Sequence, residues 1–206
     1  MSTPQVFYSA ELRWWGTGYL PQPVTNALQQ LPGQDQAPRL DRYVMQHTAL
    51  SSIKWREGAL EVKSMTADPT ELEPPLERFG PVTFWEKWRL PGKIELEGAQ
   101  WLSVHKYRTL AFYHPKEGWL LQSPTTPIPA GCQLEWSKVE VKGRTYWSLG
   151  LEAFDEAGLQ GAEALVTSTF IKLMEGISEL EGLLRHAQRL DYPRWLRQFS
   201  SSGDLL

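Results

Sequence analysis

The chain has 206 residues, with 21 Lys and Arg against 24 Asp and Glu and a net charge of −3. At roughly 150 residues per domain this is one domain, long enough to bury about 70% of its unfolded surface without a metal or disulfide staple. The mildly acidic balance argues against retention on nucleic acid by net charge, though not against a local basic cavity.

Residues 6–15, 41–49, 50–56, 59–66, 82–90, 100–109, 110–115, 118–122, 132–141 and 145–154 read as short strands separated by Gly and Pro clusters. Residues 20–39 contain Pro21, Pro23, Pro32 and Pro38 and a short helical stretch at 25–30. Arg56-Glu57-Gly58-Ala59 and Lys142-Gly143-Arg144 have the chemistry of tight hairpin turns. Residues 67–80 read as a proline-rich, acidic loop. After Phe154 the spacing becomes helical over 159–173 and 177–190. In the second stretch Ile177, Leu180, Leu183, Leu184, Ala187 and Leu190 recur at three- and four-residue steps. Ser178 with Glu181 reads as a capping box, Tyr192-Pro193 as a helix stop, the next residues as a docking tail, and 200–206 as a frayed end. Strands first and helices last predict an α+β fold, a single domain over residues 1–199.

No apolar run approaches ~18 residues, and the N-terminus lacks a basic start followed by an apolar run, so neither a membrane span nor a signal peptide is expected. The single cysteine, Cys132, cannot form an internal disulfide and suits a reducing compartment, so cytoplasmic localisation is the expectation. Cys132 has no His neighbour and reads as an inert buried thiol. His47, His105, His114 and His186 fall on different elements with no zinc spacing. There is no Gly-x-Ser-x-Gly elbow, no phosphate loop and no dinucleotide fingerprint.

The charges alternate in an informative way. Strand side chains change face at every residue. Glu11 and Arg13 therefore share a face, as do Lys54 and Arg56, Glu61 and Lys63, Lys87 and Arg89, and Lys106 and Arg108. Leu12 and Trp14, Ile53 and Trp55, Leu60 and Val62, Trp88 and Leu90, and His105 and Tyr107 take the opposite faces. A solvated polar face is the ordinary explanation for one such strand. Three strands carrying Lys/Arg pairs in a net-negative chain call for something anionic among them, because like charges side by side on a sheet repel. The alternative is a closed antiparallel barrel of about eight strands, with the charged face inward and the aromatic face outward under helices. Arg offers a fork for phosphate oxygens and Lys a point charge, so a basic lumen would select a small polyphosphate-like anion.

Ile53-Lys-Trp-Arg-Glu-Gly-Ala-Leu-Glu-Val-Lys63 resembles the tunnel-facing hairpin of the CYTH superfamily, the triphosphate tunnel metalloenzymes. Arg39-Leu-Asp-Arg-Tyr43, upstream of it, is similar to the family's Asp-x-Tyr strand, Glu86-Lys-Trp-Arg89 and His105-Lys-Tyr-Arg108 to its later basic strands, Ser148-Leu-Gly-Leu-Glu152 to its last Glu-x-Glu strand, and the segment from Tyr192 to its closing one. The resemblance implies a tunnel that binds triphosphate compounds, with hydrolysis assisted by Mg²⁺ or Mn²⁺ held on tunnel carboxylates. It makes Glu11 and Glu152 the catalytic and metal-binding residues, and Arg13, Lys54, Arg56, Lys63, Lys87, Arg89, Lys106 and Arg108 the phosphate-binding set. Ser9 and Gly150 stand where the family pattern has carboxylates, and Arg13 where it has Lys. That departure keeps a second expectation open, a non-catalytic binding or regulatory protein that retains anion affinity. A lipocalin-like carrier needs the apolar face inside, and alternation alone does not say which face that is. A single-strand nucleic-acid platform needs aromatic and basic groups on one face, whereas here they lie on opposite ones. The expected partner is a small phosphorylated anion, with no membrane and no double-stranded nucleic acid.

Overall fold

The structure, a computed structural model, describes residues 5–45, 48–92, 96–121, 124, 125 and 127–200. In chain order the elements are β1 (Gln5–Thr17), α1 (Gln22–Leu28), β2 (Gln34–Asp35), β3 (Arg39–Val44), β4 (Ser51–Arg56) and β5 (Ala59–Thr70). A 3₁₀ turn (Glu77–Phe79), β6 (Val82–Pro91), β7 (Trp101–His114), β8 (Gly118–Leu120), β9 (Ala130–Val141) and β10 (Arg144–Asp155) follow. The chain closes with α2 (Leu159–Gly176), α3 (Glu179–His186), β11 (Gln188–Arg189) and α4 (Tyr192–Ser200).

Eight strands form a closed antiparallel barrel in the order β10-β9-β7-β3-β4-β5-β6-β1, with β1 pairing back onto β10. The short β2 and β8 attach to β7, and β11 to β1. Both predicted hairpin turns are present. Glu57 (φ 49°) and Gly58 (φ 74°), and Lys142 (φ 48°) and Gly143 (φ 70°), put two successive residues in the left-handed region, the geometry that suits a two-residue hairpin loop.

Several boundaries differ from expectation. The strands expected at 100–109 and 110–115 are one continuous strand, β7, because the alternation runs through Thr109 and Leu110 without a breaker. Strand β5 continues past Met65 to Thr70 by way of register shifts, so the acidic loop is shorter than expected. Strand β3 begins at Arg39 and ends at Val44, while His47 and residue 122 lie outside the described residues. Helix α1 begins three residues before, and ends two residues before, the stretch expected at 25–30. Helix α3 ends at His186, and Ser178 lies in the helical region without a side-chain cap. The Glu181 carboxylate accepts from Arg185 and Arg78 instead of closing a capping box. Tyr192-Pro193 does not stop a helix but starts one. The Asp191 Oδ1 accepts the Arg194 backbone N–H at 2.8 Å and caps α4, and Pro in a first turn sacrifices no hydrogen bond.

The outward faces of β1, β9 and β10 carry the main core. Leu12, Trp14, Leu134, Leu149 and Leu151 pack beneath Leu165, Val166, Phe170 and Leu173 of α2. The Trp14 ring stacks on Phe170 at 5.1 Å, and its Nε1 donates to the Phe79 carbonyl at 2.9 Å. The apolar strand face thus lies outside under helices and the charged face lies inside, the reverse of a lipocalin-like arrangement.

A second core fills one end of the lumen. The inward Trp15, Tyr43, Leu102, Val104, Val139 and Val141 meet Trp195, Leu196 and Phe199 of α4. Trp15 and Trp195 stack at 3.9 Å with their planes 5° apart. The Trp15 Nε1 donates to the Leu190 carbonyl at 2.8 Å, and the Lys142 ammonium donates to the Phe199 carbonyl at 3.2 Å. The barrel is therefore a cup with an aromatic floor. No described helix is long and apolar enough to cross a membrane.

Candidate anion-binding site

Strand parity and register bring the charged residues together above that floor. The Cα partners Glu11 and Glu152, Arg13 and Gly150, Lys106 and Arg39, Lys54 and Glu61, Lys63 and Lys87, and Glu61 and Arg89 all lie across adjacent strands. All ten residues proposed from the sequence face this one lumen: Glu11, Arg13, Lys54, Arg56, Lys63, Lys87, Arg89, Lys106, Arg108 and Glu152. Arg39, Asp41, Glu61 and Glu135 join them, giving nine cations against five carboxylates on the inward strand faces.

Exposure is graded with depth. The side chains of Asp41 and Lys106, near the floor, are 0% and 4% exposed, whereas Lys87 and Arg89, near the mouth, are 30% and 32% exposed. The least exposed of these groups lie beside α4, which packs into that end of the barrel.

Every inward carboxylate is held by cations. Glu61 receives Lys54 at 2.9 Å, Arg56 at 3.1 Å and Arg89 at 2.6 Å. Asp41 receives Lys106 at 2.8 Å and Arg39 at 3.3 Å. Glu135 receives Arg13 at 3.1 Å and Arg108 at 3.5 Å. Glu11 receives Lys63 at 2.5 Å and Lys87 at 3.6 Å, and Lys87 also contacts Glu152. At the floor the Lys106 ammonium donates to the Tyr43 hydroxyl at 2.8 Å and lies 3.9 Å from the centre of the Tyr192 ring.

The titration behaviour follows from burial set against these pairs. Burial pushes the Glu11 carboxyl up, but Lys63, Lys87 and Arg13 outweigh it and hold it at about 2. Glu135 is likewise held at about 2, burial being outweighed by Arg13, Lys106 and Arg108. Asp41 lies well below the usual carboxylate range, burial being overcome by Lys106, Lys54 and Arg39. Burial pulls the Lys63 ammonium down to about 8 despite Glu11.

Two donors, the Nε of Arg108 and the hydroxyl of Tyr192, are buried without a hydrogen-bond partner among the described residues, while the Nε of Arg39 and of Arg56 make no hydrogen bond but face Asp41 Oδ1 at 3.3 Å and Glu57 Oε2 at 3.6 Å. A buried polar group left unpaired costs about 1–3 kcal/mol, so these donors are short of an acceptor. Arg39 and Tyr192 escaped the sequence analysis. Arg39 shares parity with Asp41 and Tyr43, which was a usable signal, whereas Tyr192 reaches the lumen only because α4 folds back into the barrel.

The carboxylates do not fit a divalent cation. Mg²⁺ needs oxygen donors in an octahedral shell. Here Glu11 Oε1 accepts from Ser9 at 3.1 Å and faces Lys87, while Oε2 is taken by Lys63. A Cβ at Gly150 would lie 2.5 Å from the Arg13 guanidinium carbon, so the space for a side chain there is filled by a cation. Among the described residues, no three His, Cys, Asp or Glu side chains form a group able to hold a metal. His105, His114 and His186 lie apart from the lumen set, and Cys132 is buried with its thiol pushed up to about 12 by burial. Compared with known proteins, the chain matches no family model, no curated protein and no solved structure.

Proposed function

We propose that this protein binds a small polyphosphate-like anion, such as inorganic triphosphate or the phosphate tail of a nucleotide, end-on in the basic half of the cup. The observation that carries this is the excess of nine inward cations over five carboxylates among the described residues, with the Arg108 Nε and the Tyr192 hydroxyl buried without acceptors. A tri-anion supplies oxygen acceptors in the number the lumen lacks, and buried guanidinium groups match phosphate oxygens in geometry. Kinship with CYTH-like proteins is part of this proposal and rests on the Ile53–Lys63 hairpin and the Lys/Arg pairs of β6 and β7.

The shape bears on ligand class. With α4 across the floor, a chain cannot thread the barrel, so the cup suits a terminal phosphate group. Arg56, Lys87 and Arg89 near the mouth meet the anion first, and Arg13, Lys106 and Arg108 receive its far end. Each phosphate oxygen that engages a cation displaces a carboxylate partner, so the internal acids act as placeholders that keep the empty lumen from repelling itself.

Titration calorimetry with inorganic triphosphate, ATP and thiamine triphosphate tests this. Saturable one-site binding is expected, weakened about 10- to 100-fold by Arg56→Ala or Arg89→Ala, the equivalent of losing one charged hydrogen-bonding partner. Equal affinity in both variants and the parent would refute the lumen as the binding site. Phosphate release measured on the same mixtures separates a binding protein from a phosphohydrolase.

A further inference from the structure

Glu11 and Glu152 stand side by side on β1 and β10 as direct cross-strand partners. Two carboxylates so placed repel one another unless a cation sits between them. The Lys87 ammonium, from β6, lies 3.6 Å from Glu11 Oε1 and in direct contact with Glu152 Oε1. Lys63, its cross-strand neighbour, takes the other oxygen of Glu11 at 2.5 Å and rests over the Trp85 ring at 4.5 Å. The two carboxylates and two ammoniums form a charge-balanced chain, Lys63 to Glu11 to Lys87 to Glu152. Around it, Ser9 donates to Glu11, and Arg13 donates to Ser148 at 3.0 Å and to Glu135 at 3.1 Å.

We infer that the Lys87 ammonium takes the position between Glu11 and Glu152 that a divalent cation would otherwise hold, so the cup binds its polyphosphate as the metal-free anion. This rests on the reading of the lumen as an anion site and specifies the form of the ligand. A doubly charged ion brought to these oxygens would face two ammoniums already within a few ångströms of them, and neither lysine has an alternative inward carboxylate that is not already paired. A polyphosphate complexed to Mg²⁺ carries less negative charge and has fewer free oxygens, so it competes poorly for Arg and Lys donors.

The test has two arms. The first titrates inorganic triphosphate into the protein in EDTA and again in excess Mg²⁺. Binding in EDTA that weakens with Mg²⁺ is expected. Binding seen only with Mg²⁺ overturns this inference while leaving the anion site standing, and absence of binding in both buffers overturns the anion site itself. The second arm needs no polyphosphate: Mn²⁺ is titrated and followed by electron paramagnetic resonance, with Lys87→Gln beside the parent protein. The variant is expected to hold Mn²⁺ at least about tenfold more tightly, a change of about 1.4 kcal/mol, because one ammonium has left the carboxylate pair. Equal affinities, or tight Mn²⁺ binding by the parent that Glu152→Gln abolishes, overturn the assignment of Lys87. Thermal melts of both variants establish that each is folded.

Discussion

Replacing Trp195 by Ala removes the centre of the aromatic floor. The side chain is 1% exposed, stacks on Trp15 at 3.9 Å, and meets Tyr146, Tyr192 and Phe199 edge-on at 5.4, 5.6 and 4.9 Å. An indole of about 200 Å² at about 25 cal/mol per Å² corresponds to about 5 kcal/mol of burial. That figure lies at the upper end of the about 3–5 kcal/mol that Trp-to-Ala changes cost, and partial collapse of the site places the expectation near 4 kcal/mol. For a chain of this length each kcal/mol moves the midpoint by about 2–4 °C, so Tm should fall by about 8–16 °C. Urea unfolding followed by far-UV circular dichroism supplies the free energy, and calorimetry supplies Tm. Trp195→Phe keeps a ring against Trp15 and should recover more than half of the loss. A loss below about 1 kcal/mol for the alanine variant would mean that α4 lies against the barrel without sealing it.

Two further outcomes concern protons. Glu11 and Glu135 are both held at about 2 in the folded protein, against 4.5 for the unperturbed side chain, so the stability they contribute is fully present above about pH 4.5 and is lost as pH falls toward about 2. Unfolding in that window should take up about two protons, visible as a urea midpoint that declines steeply between pH 5 and pH 3, and a flat midpoint would contradict the pairing. Lys63 faces Glu11, Lys87 and Glu152 and titrates near 8, so its share of anion affinity is present below that pH and is lost as pH rises through it. Triphosphate affinity measured from pH 7 to 9.5 should decline relative to Lys63→Arg, which keeps its charge throughout, and parallel profiles for the two proteins would remove Lys63 from the site.

Much of the barrel was legible because period-two alternation is a local signal. Lys54 and Arg56, or Lys106 and Arg108, announce a shared face without knowledge of any partner strand. Which face is inside is a global property. It was decided here by the apolar stripe of α2, with Leu165, Val166, Phe170 and Leu173 needing an apolar surface to cover. The floor was not legible for a related reason. Tyr192, Trp195, Leu196 and Phe199 have helical spacing, but Pro193 looked like a terminator, and only the Asp191 cap shows that it opens a helix. The carboxylate partners were partly hidden too. Asp41 and Glu61 lie on strands whose existence, though not whose bounds, was read from the sequence, yet no spacing rule predicts that Asp41 takes Lys106 or that Glu61 takes Arg89.

The closure of the barrel has a consequence for how the chain is made. Strand β1 is bordered by β6 over its first half, by β10 over its second and by β11 at Trp14 and Trp15, so its last neighbours are synthesised long after it. Until then the half of β1 containing Leu12, Trp14 and Trp15 is an unpaired apolar edge, with the helix that covers Trp15 later still in the sequence. A nascent chain in that condition is open to pairing with its neighbours, and long-range strand pairing of this kind is slow. Assembly is therefore gated by the last third of the chain, and truncations anywhere in it should leave aggregates rather than a smaller folded core.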